Sequence, residues 1–413
     1  MEFMKAKGVR DIDPQIKIVK NRIFEVITTI FESHGLLPLE TPVLERWETL
    51  SAKYGAGEGS DVLKETFKLT DQGERNLGLR FELTTSLARY LAENPQTKMP
   101  FKRYEMGRVF RDGPIKPGRY REFWQCDADI IGTSSLQADA ELIAILYKGL
   151  TALGIKHVIK VNNRKILTGI CEDANVTNTH DAIIAIDKFD KIGADGVRKE
   201  LEERGISAEA AEVIVDKIQA PFSKLKFNSE TGKLGIEELN NVIELCKLYN
   251  VDVQIETTLA RGQAYYTGTV IEAFAVDSHI TSSIAGGGRY DNMIGDYMGN
   301  KQVPAIGISF GAEPILDILS SNQTNSVATF LFVPMKIEGA NIVETLREKG
   351  LKVELAYGKK GLSKYLDYAN ALHIPFVIIH GQKEVDSGMF TVKNMVTGEQ
   401  QSVTMDELCK LNK

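Results

Sequence analysis

The chain has 413 residues, enough for roughly two to four domains at about 100–200 residues each. Its 43% hydrophobic and 26% charged side chains are ordinary globular values, which exclude disordered, collagen-like and coiled-coil chains. The formal charge of −6, taken alone, speaks against a nucleic-acid partner, because phosphate binding needs Lys and Arg.

In chain order, Ile16, Val19, Ile23, Ile27 and Ile30 recur every three or four residues and predict an amphipathic helix over 15–33. Gly35 stands where a helix ends, and 36–43, with two prolines, reads as an extended strand. The Gly-rich stretch 54–60 predicts a mobile loop. Short strands are expected at 67–69, 77–80, 101–110 and 123–131, and helices at 84–94 and 139–153. Antiparallel-looking strands with few helices between them favour an α+β core over a βαβ repeat.

Residues 166–245 differ in texture, with 16 acidic and 9 basic side chains and no strand candidates, and read as a helical insertion. Without them the rest of the chain is close to neutral, and two basic runs emerge, seven basic against two acidic over 102–121 and six against two over 347–364. These are two candidate anion-binding surfaces. Strands resume at 251–256 and 268–274, followed by a helix at 312–319 and a Ser/Asn-rich linker. Beyond it, strands at 328–334, 352–355 and 375–379 alternate with helices ending at 349 and 372, a small α/β domain of about 85 residues. The expected domains are 1–165 and 246–320 as a split core, 166–245 as the insertion, 321–326 as the linker and 327–413 as the last module. No apolar run reaches the roughly 20 residues of a membrane span and no secretory leader is visible, so a cytoplasmic location without a membrane partner is expected. Four scattered cysteines and six histidines without metal-ligand spacing predict reduced thiols and no metal centre.

Four stretches carry chemistry. Gly107 to Gln125 runs from a strand ending in Arg111, through a Gly/Pro loop with Lys116 and Arg119, to a strand beginning at Phe123. Arginine forks suit phosphate and Phe123 suits stacking on a base, although a solvated basic hairpin has the same composition. Gly286-Gly-Gly-Arg-Tyr-Asp291 either lets a backbone approach a ligand or makes a tight bulge between strand and helix. Arg261-Gly-Gln-Ala-Tyr265-Tyr266 would line a polar pocket or pack a strand-edge turn. Gly307-Ile-Ser309-Phe-Gly311 fits a nucleophile elbow, but that elbow belongs in a parallel βα sheet and the neighbouring strands read as antiparallel hairpins.

Together and in order these segments resemble the histidyl-tRNA synthetases, which are class II enzymes, over nearly the whole chain. His34 to Pro42 looks like the family's motif 1, which implies a homodimer. Leu79-Arg-Phe-Glu82-Leu-Thr84 resembles the segment that holds the amino group of histidine, 110–129 resembles motif 2, and 303–315 resembles motif 3. The stretch Gln125-Cys-Asp-Ala-Asp129 leans toward the archaeal and eukaryotic branch. The resemblance implies an antiparallel six-stranded catalytic sheet flanked by helices, a helical insertion and an α/β anticodon-binding domain. It implies ATP with Mg²⁺, L-histidine and tRNA(His) as ligands. Arg111 and Arg261 would be catalytic at the α-phosphate, with Arg119 and Phe123 also on ATP. Glu82 and Thr84 would take the α-amino group of histidine, with Gln125 nearby, and Asp129, Tyr265, Tyr266 and Gly287 would bind the rest of it. Two departures stand out: Pro314 replaces the arginine of motif 3, and Ala264 replaces a carboxylate. The rival is a non-catalytic paralogue, a regulatory subunit of ATP phosphoribosyltransferase.

Overall fold

The computed structural model describes residues 3–52, 61–115, 119–261, 265–299, 301–320, 326–335, 339–358 and 361–411. The expected loop at 54–60, Lys116, Ala264 and most of the 321–326 linker lie outside them. The chain divides into two compact units, Met1–Arg10 with Ile23–Ile318, and Asp11–Arg22 with Leu319–Lys413. The first helix, Pro14–Ser33, contributes to both.

Among its described residues the larger unit contains eleven strands: β1 (Leu37–Pro38), β2 (Leu44–Arg46), β3 (Lys68–Thr70), β4 (Asn76–Leu79), β5 (Phe101–Phe110), β6 (Glu122–Ile131), β7 (His157–Asn163), β8 (Gln254–Ile255), β9 (Thr269–Ala275), β10 (Ala285–Arg289) and β11 (Ala305–Gly311). Eight form one sheet in the order β1-β5-β6-β11-β10-β9-β7-β8, and β2-β4-β3 form a small second sheet. The six central strands are antiparallel throughout, as expected. The two edge strands, β1 on β5 and β8 on β7, are parallel additions to that sheet.

Both edges are shorter than the sequence suggests. The 36–43 strand shrinks to two residues between Leu36 and the turn into β2, because Pro38 and Pro42 have no N–H to extend a ladder. The 251–256 strand likewise pairs only at Gln254 and Ile255. Three core strands were not anticipated as such. In β7, Ile159 and Val161 alternate inward, a period-2 signal that the sequence does carry. The Gly-rich β10 is a fully buried central strand rather than a bulge, and β11 holds the apparent elbow. Ser309 sits in mid-strand, paired with Asp127 and Gly286, so it is not the strained strand-to-helix turn of a hydrolase.

Helix Leu136–Ala152 covers one face of the sheet, with Leu142, Ile145, Leu146 and Leu150 fully buried. Between Asn163 and Gln254 there is no strand, only helices Arg164–Asp173, Thr179–Ile186, Phe189–Glu203, Ala208–Gln219 and Glu230–Leu248 and one short 3₁₀ turn. Gly193, at φ 67°, interrupts the third of these.

The smaller unit has β12 (Phe330–Pro334), β13 (Val353–Leu355), β14 (Phe376–His380), β15 (Phe390–Asn394) and β16 (Gln400–Val403) in the order β13-β12-β14-β15-β16. The first three are parallel, joined by helices Ala340–Glu348 and Leu362–Ala371, which is the expected β-α-β-α-β. The antiparallel β15–β16 hairpin is an addition, with Phe390, Val392 and Val403 closing the core around Phe330, Phe332 and Ile378.

Candidate active site

Glycine determines where the large unit opens. Gly286 and Gly287 of β10 and Gly307 and Gly311 of β11 carry no side chains over the middle of the sheet, and a cleft of about 300 Å³ lies there. A methyl on Gly287 would overlap the Gly307 carbonyl oxygen, and one on Gly307 would overlap the Asp129 carboxylate. Gly287→Ala is therefore expected to destabilise the unit by about 3 kcal/mol or more, as overpacking a closed backbone does. Urea or thermal unfolding checks this; an unchanged midpoint would show that β10 can shift.

All eleven residues singled out from the sequence as site residues line this one cleft: Glu82, Thr84, Arg111, Arg119, Phe123, Gln125, Asp129, Arg261, Tyr265, Tyr266 and Gly287. The cleft also takes in Asp127, Glu272 and Ser309, which sequence reasoning missed. A signal for Asp127 existed, since Gln125, Asp127 and Asp129 alternate along β6 and so share a face.

The basic run 102–121 is not one anion-binding surface. Arg103 is fully buried, Lys102 pairs with Glu141 at 2.7 Å, Arg108 with Glu122 at 2.9 Å and Arg121 with Asp112 at 2.8 Å. Among the described members of the run, Arg111 and Arg119 reach the cleft. The Arg111 guanidinium lies 4.2 Å from the centre of the Phe81 ring and 5.0 Å from that of Phe123, and its Nε donates to the Phe81 carbonyl at 3.4 Å. Phe123, expected to stack on a base, thus has a cation near its ring in this structure.

Arg261 has φ 54°, a left-handed conformation rare for a side chain of this size. Its Nη1 donates to the carbonyls of Ile271 at 2.9 Å and Gly287 at 3.3 Å, and Nε stands 3.6 Å from Glu272. Burial pushes the Glu272 carboxyl up, and the Arg261 charge pulls it back. Tyr265 and Tyr266 contact each other with ring centres 4.7 Å apart.

Glu82 precedes helix Thr84–Glu93, and its carboxylate accepts from the backbone N–H groups of Thr84 and Thr85 and from the Thr85 hydroxyl. It acts as a cap for that helix start, where the backbone favours negative charge. Asp129 is buried; Tyr290 donates its hydroxyl to Oδ1, and the Arg103 guanidinium lies 2.7 Å from Oδ2. Asp127, two residues back, has a carboxyl pushed up to about 8 by burial first and then by the Asp129 charge. Arg289 of the Gly-Gly-Arg stretch serves the scaffold instead: it pairs with buried Asp139 and donates to the carbonyls of Thr133 and Ser135.

The family model of histidyl-tRNA synthetases matches residues 8–315, and an anticodon binding domain model matches 332–412. The chain belongs to the histidyl-tRNA synthetase family. Histidine–tRNA ligase 1 of Bacillus cereus is 42% identical over 99% of this chain and 97% of its own length. The histidine–tRNA ligase of Bacteroides fragilis is 38% identical over 97% of each chain. Among solved structures, the histidyl-tRNA synthetase from Nostoc superposes with a TM-score of 0.88 at 31% identity, covering 100% of this chain and 99% of the other. A Bacillus halodurans structure described as an ATP phosphoribosyltransferase regulatory subunit/histidyl-tRNA synthetase gives 0.75 at 21% identity, a likeness of fold. These relatives are bacterial, so they lend no support to the archaeal and eukaryotic leaning of the Gln125–Asp129 stretch. Family membership also places Pro314 and Ala264 as departures inside a family, not as signs of another one.

Proposed function

We propose that this cleft activates L-histidine with ATP and passes the histidyl group to tRNA(His), which makes the chain an aminoacyl-tRNA ligase. The observation that carries the reading is the meeting of eleven family-motif residues, drawn from segments as far apart as Glu82 and Gly287, around one cavity. In the first step the histidine carboxylate attacks the α-phosphorus of ATP and pyrophosphate leaves. In the second a ribose hydroxyl at the tRNA end attacks the acyl carbon and AMP leaves. Both nucleophiles come from substrates, so the protein's work is to bring anions together and stabilise the charge on phosphorus.

Arg111 and Arg261 supply that charge, with Arg119 and Phe123 on the nucleotide. Glu82, Thr84 and Gln125 take the α-amino group. Asp129, Tyr265 and Tyr266 read the imidazole, and Gly287 leaves room for it; a site built around ring N–H groups rejects amino acids that lack them. Among the described residues no three His, Cys, Asp or Glu side chains stand together as metal ligands. Mg²⁺ carried on nucleotide phosphates needs only one or two protein carboxylates and so fits this donor set.

On this reading 1–165 and 246–320 form the catalytic core, 166–245 an insertion and 327–413, after the 321–326 linker, the anticodon-binding module of a cytoplasmic homodimer. Histidine-dependent ATP–pyrophosphate exchange by the purified chain tests the first step. Histidine binding without exchange would instead favour the regulatory-subunit reading, although the named ligases match this chain along its whole length, including 332–412. For the module, Lys349 and Lys352 are exposed on the basic run. Changing both to Glu is expected to raise the KM for tRNA roughly tenfold or more and to make its salt dependence shallower, leaving exchange intact. Equal losses in both assays would count against an anticodon role.

A further inference from the structure

Arg261 stands in a backbone conformation that its side chain does not favour, with φ 54°. A residue of this size persists in the left-handed region only where its surroundings hold it there. The carbonyls of Ile271 and Gly287 fix the guanidinium end. The backbone end is fixed by a different part of the chain, the helices between β7 and β8.

The carbonyl of Ala260 and the N–H of Arg261 belong to one planar peptide group. Arg164, the first residue of helix Arg164–Asp173, donates from Nη1 to that carbonyl at 3.3 Å. Asp187, directly after helix Thr179–Ile186, accepts from that N–H through its carboxylate. A cation thus meets the oxygen end of the peptide dipole and an anion meets its hydrogen end, the favourable sense at both. The two charges also attract each other. The approach to this peptide is tied down as well. Asn162 of β7 donates from Nδ2 to the carbonyls of Thr257 at 3.1 Å and Leu259 at 3.0 Å. The Thr257 hydroxyl donates to the Ile218 carbonyl of helix Ala208–Gln219 at 2.6 Å.

We propose that Arg164 and Asp187 are positioning residues for Arg261, so that the helices between β7 and β8 take part in the chemistry of the cleft by clamping the Ala260–Arg261 peptide. The proposal rests on the reading of Arg261 as the charge that answers phosphorus, and it gives the acidic insertion a part in the first step, before any tRNA is bound. Rotating the clamped peptide swings the guanidinium, and a misplacement of about 1 Å is enough to cost roughly 10²-fold in rate.

Asp187 is exposed, so Asp187→Ala leaves the core closed. Two measurements on the full-length chain test the clamp. In amide hydrogen exchange followed by mass spectrometry, residues 257–261 are expected to exchange at least about fivefold faster in the variant, with β5 and β6 unchanged. In histidine-dependent ATP–pyrophosphate exchange, kcat is expected to fall about 10–100-fold, the range for a charge-assisted hydrogen bond. The KM values for histidine and ATP should stay within about threefold, because the loss falls on the transition state. In an Arg261→Ala background the same substitution should change kcat less than about twofold, since a residue that acts through Arg261 then has nothing to position. An equal loss in both backgrounds, an unchanged kcat beside intact Arg261, or unchanged amide exchange at 257–261 would overturn the proposal. A wild-type chain without pyrophosphate exchange sinks the ligase reading instead, and the amide exchange still decides whether the clamp exists.

Discussion

Arg261→Ala is expected to slow histidine-dependent ATP–pyrophosphate exchange about 10²–10³-fold, the cost of removing one preorganised charge from a developing oxyanion. Its effect on the KM values should be much smaller, because the charge it answers grows in the transition state. The geometry explains why this arginine is preorganised. Its backbone stands in the left-handed region, and two main-chain carbonyls hold Nη1 at 2.9 Å and 3.3 Å. A lysine has neither the fork nor the reach to make both contacts, so Arg261→Lys should recover little. Circular dichroism and tRNA binding should be nearly unchanged, and a wild-type exchange rate would refute the role.

The second large effect concerns stability. Arg103 is fully buried beneath the cleft between Asp129 and Glu105. Replacing it with methionine leaves Asp129 without its cation, in a place where Asp127 and Glu105 are already close. Breaking one side of a buried charge pair typically costs 3–5 kcal/mol, and for a unit of this size that lowers the unfolding midpoint by roughly 10 °C. Adding Asp129→Asn removes the stranded charge and should restore part of the loss. A midpoint within about 2 °C of wild type for Arg103→Met would show that the network contributes nothing.

Much of this was legible in one dimension because its signals are local. Long strands such as β5 and β6 carry ten residues of pattern each, and their expected limits differ from the observed ones by a residue at most. Helix Leu136–Ala152 announces its buried face at a spacing of three and four. By contrast β10, Ala-Gly-Gly-Gly-Arg, has almost no side chains to alternate. It is a strand because β9 and β11 satisfy its backbone on both sides, which is a fact about its neighbours. The elbow pattern around Ser309 misleads for the same reason, since a five-residue string does not say whether it lies in mid-strand or at a turn.

Composition and motif order, by themselves, determined the α+β class, the family and the side chains that meet at the cleft, because residue type and sequence order are properties of the chain alone. Only the tertiary structure decided how each of those residues is engaged. Arg103 and Arg111 stand in one basic run, yet the first is sealed under the sheet and the second opens onto the cleft. Asp127 and Asp129 are both carboxylates on one face of one strand. Their difference arises from β5, β11 and the residue after β10: Asp129 pairs with the Arg103 guanidinium at 2.7 Å and accepts from Tyr290, while Asp127 is hydrogen-bonded to Ser309. A side chain's remaining capacity to bind depends on which donors from distant segments reach it first, and folding sets that.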